Sequence, residues 1–256
     1  MSTHAIRRLF TPVFAATLAL AAACSEQKPQ AGAFTPVPVT PVLGDVPIGD
    51  ANAPVTMIEY AALTCSHCRD FWKWELPKLK AQYIDTGKVK LVYRDMPIDA
   101  EGMGVLFASV ARCGGEAKYV DLVDEFFTRQ HDLLTAAQQG GAGPIIAEIA
   151  QKHGVTREQA RTCMDFQPEL KASIEKSGND GEAMLKAAGM QGRVTPSVFI
   201  NGDHVPNPTW ELIVAKIEEK LGNPAPAAAG ATVAPAAATP APAAAPGATP
   251  PATPPS

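Results

Sequence analysis

The fold is read from one stretch, Glu59-Tyr60-Ala61-Ala62-Leu63-Thr64-Cys65-Ser66-His67-Cys68. An apolar, strand-like run, Val55-Thr56-Met57-Ile58, leads into it. A helix-like run carrying Phe71, Trp72, Trp74, Leu76 and Leu79 leads out. Two cysteines two residues apart at a strand-to-helix junction put the first sulfur beside unpaired helix N–H groups. Those groups and the helix dipole favour an anion, and so a thiolate. The second sulfur falls about one turn further on, near enough to close a small disulfide ring. Spacing alone leaves a second reading open, because half of a zinc site has the same pattern.

The chain has 256 residues, room for one ordinary domain with appendages, and a net charge of −4. That charge gives no reason to expect nucleic acid or an anionic membrane surface as partner. Arg7 and Arg8 precede an apolar run, Leu9–Ala23, that ends in small residues before Cys24. A basic region, a short apolar region and small residues before a cut describe a secretory signal over residues 1–23. The run is shorter than the roughly 20 apolar residues a membrane span needs, and Pro12 interrupts it. Small residues directly before a cysteine also resemble a bacterial lipoprotein box, in which Cys24 would carry the lipid. Of the five cysteines, four would then remain, an even number suited to an oxidising compartment.

Residues 24–45, rich in Pro, Gln, Thr and Gly, read as a flexible linker. From Asn223 to Ser256 the chain holds only Ala, Pro, Gly, Thr, Val, Ser and Asn, and residues 223–256 read as a disordered Ala/Pro-rich tail. The domain between them, residues 46–222, starts with a strand at Val55–Tyr60. The helix that follows should be kinked or split at Pro77. After the turn Asp85-Thr86-Gly87 comes a second strand, Val89–Arg94, expected to be parallel to the first through a right-handed crossover. Helices are expected over Glu101–Cys113, Glu116–His131, Pro144–His153, Arg157–Met164 and Glu169–Ala188. A strand over Val194–Ile200 then turns at Asn201-Gly202 into Asp203-His204-Val205, and a helix over Trp210–Leu221 closes the domain. This order predicts an α/β class, a thioredoxin fold with an inserted helical subdomain at about residues 100–190. Within the helix after Cys68, residues two apart diverge, so Trp72 and Trp74 cannot both face one core. Phe71 and Trp74 form the expected core pair. Trp72 is left either exposed near the site or packed under the helical cap.

Proline cannot donate to a sheet ladder, so Thr195-Pro196 at the head of a strand needs a reason, and a cis bond fits there. With "GDANAPVTMIEYAALTCSHC" and, far downstream, "VTPSVFING", the chain resembles the DsbA-like thiol–disulfide oxidoreductases of the thioredoxin superfamily. The resemblance implies that Cys65 is the exposed nucleophile and Cys68 its buried partner. It implies that Pro196 is cis against the disulfide, that Thr195 and the neighbouring Ser66 meet substrate, and that Glu59 is a buried acid able to relay protons to Cys68. His67, between the cysteines, would stabilise the Cys65 thiolate by a hydrogen bond or a positive charge. A stabilised thiolate makes the disulfide a stronger oxidant. The family's most oxidising members carry Pro-His between the cysteines, where this chain has Ser66-His67.

Cys113 and Cys163 fall in the helical block. In an exported protein a structural disulfide is the expected pairing, worth about 4 kcal/mol through loop closure. Two free buried thiols or a second redox pair are the alternatives. The expected activity is a periplasmic protein disulfide oxidoreductase, acting in the oxidising direction on cysteines of exported proteins. It would need no cofactor and no metal. A membrane redox partner would reset it, and contact with the membrane would be only through the lipid anchor. The alternatives are a reductase or isomerase of the same fold, and a copper or other soft-metal chaperone using Cys65, Cys68 and His67.

Overall fold

A computed structural model describes residues 34–100 and 102–223. The expected signal peptide, the lipidation site Cys24 and nearly all of the tail therefore lie outside the described residues. Among the described residues five strands form one sheet. They are β1 (Pro47–Ile48), β2 (Val55–Ala61), β3 (Val89–Asp95), β4 (Ser197–Ile200) and β5 (Asp203–Val205). Their order is β1-β3-β2-β4-β5. β2 and β3 are parallel over their whole length, and the other pairs are antiparallel. The parallel pair is the product of the strand–helix–strand unit, and β2, between β3 and β4, is the strand that delivers the chain to Cys65.

Alternation along β2 divides its side chains between two cores. Val55, Met57, Glu59 and Ala61 face one way and are fully buried. They join the main core with α1 (Ser66–Trp74), α2 (Leu76–Leu79) and the final helix Trp210–Lys220. Tyr60 faces the other way, into a small cluster with Met96, Leu185 and Phe199. Leu185 belongs to the long helix Pro168–Ala187, which approaches so closely that a Cβ on Gly181 would lie 2.6 Å from Tyr60 Cδ1. Glycine is needed there for space.

Pro77 ends α1 as the sequence suggests. The chain restarts as α2 with the proline in its first turn, then widens into a π-helical stretch at Lys80–Ile84. The helical subdomain consists of α3 (Met103–Cys113), α4 (Glu116–Thr128), α5 (Gln130–Gln138), α6 (Ala142–Lys152), α7 (Arg157–Asp165) and α8 (Pro168–Ala187), and α9 (Trp210–Lys220) closes the chain. The single helix expected over Glu116–His131 is two, broken at Arg129 (φ −95°, ψ 8°). β4 begins at Ser197 rather than Val194, because Pro196 has no N–H to give the ladder. Asn201 and Gly202 both have positive φ (47° and 88°), the pairing a two-residue hairpin requires.

The expectation that Trp74 pairs with Phe71 in the core is corrected, and of the two readings left for Trp72, packing under the helical cap holds. Trp72 is buried beside Phe71, and Trp74 is 61% exposed. α1 has no solvent side at Trp72, because the helical subdomain covers it. The indole packs edge-on against Tyr93 and against Phe127 of α4, and Nε1 donates to Asp124 Oδ1 at 2.8 Å. Trp74, near the helix end, lies under the Lys73 ammonium.

The end of the expected linker is laid against the domain instead of standing free. Val42 is buried, and Val42 N donates to Arg112 O. The Arg112 guanidinium, buried in α3, donates back to Val42 O and Gly44 O, and to Asp95 Oδ2 of β3 at 2.6 Å. Asp95 also accepts from Tyr119 of α4. One buried ion pair thus joins the sheet, the helical subdomain and the N-terminal segment. Arg112→Met should cost about 3–5 kcal/mol in urea unfolding, because it leaves a buried carboxylate unpaired. The double variant Arg112→Met/Asp95→Leu should recover part of that loss.

Candidate active site

The site is built where β2 ends and α1 begins. Ala61 closes β2, and Cys65 N donates to Ala62 O in a tight turn. Cys65 is the N-cap of α1, with extended backbone (φ −86°, ψ 121°), and its sulfur accepts the Cys68 N–H at 3.4 Å. A cap usually uses the oxygen of Ser, Thr, Asp or Asn. Here the same geometry aims a sulfur at the helix amides, and no acidic side chain in the first turn competes. Cys68 is on the inner face of α1 and fully buried, whereas Cys65 keeps 7% of its surface. The two are free thiols in this structure. Cys65 is therefore less exposed than expected, with the loop at residue 195 lying against its sulfur.

That loop arrives from the other side of the sheet. The Thr195–Pro196 peptide bond is cis, and the Cys65 thiol lies 3.5 Å from Thr195 O, to which it donates when protonated. The Cys65 pKa is lowered to about 5. The largest cause is a hydrogen bond from the Cys68 thiol. The backbone N–H groups of Cys68 and His67 add to it, against the opposing effect of burial. Burial pushes the Cys68 thiol well up, and so does the proton it shares with Cys65. Glu59, fully buried, is raised well above the carboxylate range, first by burial and then by the charge on Cys65. Neither Glu59 oxygen has a hydrogen-bond partner. The pocket therefore holds one anion, Cys65, over two groups kept neutral.

The structure brings together Cys65, Cys68, Glu59, Thr195 and Pro196. It does not bring the His67 imidazole to the sulfur. His67 and Ser66 are exposed on the outer side of the first turn, and His67 reaches Cys65 only through its backbone N–H. The reason is the cap geometry: the first-turn N–H groups converge on Sγ while their side chains radiate outward. Cys113 and Cys163 form a disulfide between α3 and α7, outside this pocket (Cα–Cα 6.0 Å). Two anchors of the site loop escape sequence reading. Thr64 donates to Asp99 Oδ1, and Gln130 of α5 donates to Leu63 O and Cys65 O. A polar residue at the start of a helix carries no local mark that it will be buried.

The family model described as Thioredoxin matches residues 42–219, more than half of the chain. The chain belongs to the thioredoxin family. Its relatives lie on the disulfide-exchanging side of it. A Rickettsia bellii protein named as a protein-disulfide oxidoreductase is 26% identical over 196 residues, covering 77% of this chain and 71% of that one. A Rickettsia conorii protein of the same name matches at 26%, and there the chain spans only 60% of the relative's length. The disulfide bond formation protein D of Bacillus subtilis is 23% identical, covering 70% of this chain and 78% of its own. Among solved structures, Wolbachia pipientis alpha-DsbA1 superposes with a TM-score of 0.59 at 24% identity, covering 71% of this chain and 93% of that one. Oxidised BdbD of Bacillus subtilis gives 0.59 at 20%, covering 73% and 99%. These likenesses, at under 25% identity, are of fold.

In the reduced protein, thiolate absorbance should titrate with a midpoint of about 5 and vanish in Cys65→Ala. A midpoint near an ordinary thiol, about 8.5, would contradict the geometry. The folded pKa is depressed, so the stabilisation is fully present above about 8.5 and is lost as pH falls through about 5. The melting temperature of reduced protein relative to Cys65→Ala should therefore rise with pH across that window.

Proposed function

We propose that the chain is a protein dithiol–disulfide oxidoreductase in which Cys65 is the exchanging thiol and Cys68 its resolving partner. The observation that carries this is the Cys65 sulfur, capping α1 and held as a thiolate, against the carbonyl that precedes a cis proline. A low-pKa thiol is both a good leaving group and a stable end state. The family match and the names of the relatives support the same chemistry.

In the oxidising direction, a substrate thiolate attacks Sγ of Cys65 in the Cys65–Cys68 disulfide. The S–S bond breaks, and its electron pair leaves on Cys68. Buried Cys68 is a poor home for charge and takes a proton, which Glu59 can supply because its carboxyl is held protonated in the same dry pocket. A second substrate thiolate then attacks the substrate sulfur of the mixed disulfide. Cys65 departs as its stabilised thiolate, and two electrons have passed to the enzyme. The Thr195 backbone beside Cys65 suits it to hold an extended substrate segment. The oxidising preference rests on the stability of the Cys65 thiolate, not on the His67 imidazole.

The basic and apolar leader supports export to the periplasm, and Cys24 supports a lipid anchor. No helix among the described residues is long and apolar enough to cross a membrane. Exported proteins with cysteines are the fitting substrates, and continued turnover requires a membrane partner that accepts the two electrons.

Equilibration with glutathione should place the potential well above that of thioredoxin, about −270 mV, and toward the DsbA value of about −120 mV, both quoted as general reference points. A thioredoxin-like value would reverse the assigned direction. Cys68→Ala protein should accumulate mixed disulfides through Cys65, detected by mass spectrometry. Absence of any such adduct with a reactive Cys65 would overturn the exchange mechanism itself.

A further inference from the structure

The loop Leu63–Cys65 is held from outside the thioredoxin core. Thr64 Oγ1 donates to Asp99 Oδ1, and the same carboxylate accepts the Gly104 N–H at the start of α3. From the other side comes Gln130. Its Nε2 donates to Leu63 O at 2.8 Å and to Cys65 O at 2.9 Å. Gln130 is 1% exposed, although Arg129 is half-buried and His131 exposed. The break at Arg129 turns the chain so that the first residue of α5 drops inward onto the site loop.

Two features distinguish this amide from ordinary packing. Its Oε1 is buried without a partner, so a filler residue such as Leu or Met would sit there without that burden. One of its two contacts also falls on the peptide that sets the cap. Cys65 O accepts the Arg69 N–H, the first helical bond of α1, as well as Gln130 Nε2. Two donors on one carbonyl fix the plane of the Cys65–Ser66 peptide. That plane sets the Cys65 ψ of 121°, and with it the direction of Sγ toward the Cys68 N–H.

We propose that Gln130 is a positioning residue for Cys65, holding the Leu63 and Cys65 carbonyls from the helical subdomain so that the sulfur stays aimed at the α1 amides. This rests on Cys65 being the reacting thiol. It makes the seating of the helical subdomain on the site loop a determinant of thiol reactivity, beyond its role as a cover.

Gln130→Met keeps the volume and removes both donors. In the reduced, folded variant the Cys65 thiolate midpoint should rise by about one unit. The glutathione equilibrium should move about tenfold toward the disulfide, equivalent to about 30 mV in potential. Gln130→Asn keeps the amide but withdraws it by one methylene, and should shift both quantities in the same direction by less. If Gln130→Met does not fold, the Asn variant decides. A folded variant that melts earlier but keeps the wild-type midpoint and equilibrium overturns the proposal, because a purely structural amide would behave that way. Wild-type protein whose Cys65 titrates like a free thiol would instead overturn the functional reading beneath it, so the two failures are distinct.

Discussion

A sulfur serves as the cap of a helix only if the chain brings it to the helix amides with the right backbone torsions and keeps water from replacing them. Cys65 meets both conditions. Its extended backbone aims Sγ at the Cys68 N–H, and the 195–196 loop covers it. The rest of the site follows from that contact. Once Cys65 is an anion in a nearly dry pocket, its neighbours cannot also be charged without a large desolvation cost. The Cys68 thiol and the Glu59 carboxyl are both pushed upward for this reason, burial being the larger cause in each.

The sheet supplies the rigidity this requires. Glu59 and Cys65 are delivered by the same central strand. The parallel register to β3 sets Glu59 opposite Tyr93, whose ring packs on Trp72 of α1. β4 pairs antiparallel to β2 and begins directly after the cis proline, so the ladder places Thr195 over the sulfur. The helical subdomain is bound to this frame by unlike interactions: the buried Arg112–Asp95 pair, the Trp72–Asp124 hydrogen bond and the Gln130 amide. Its own internal tie, Cys113–Cys163, joins α3 to α7.

Much of this was legible before any coordinates. Period-two and helical patterns located β2, β3 and most helices to within a few residues, because each is long enough to show its period. Pro77 and Asn201-Gly202 marked their breaks through constraints carried by the residues themselves. The errors have a common source. Trp74 was assigned to the core with Phe71 on the assumption of one buried face, but α1 is covered on two sides, by the sheet and by α4. The break at Arg129 carries neither Gly nor Pro, so no local signal marked it. His67 is exposed, and the cap geometry uses its backbone N–H.

The sequence by itself determined the chemistry available: two thiols one helical turn apart at a strand-to-helix junction, an acid on the incoming strand, and a proline heading a distant strand. These are local facts, set by spacing and by the covalent limits of proline and glycine. Tertiary structure decided which groups act on the sulfur. The Cys65 sulfur is stabilised as a thiolate by Cys68 and by backbone amides, and its loop is held by Gln130, distant in sequence. Such contacts depend on the direction of a side chain and on what covers it. Both are fixed only when separate elements pack, and no periodicity along the chain encodes them.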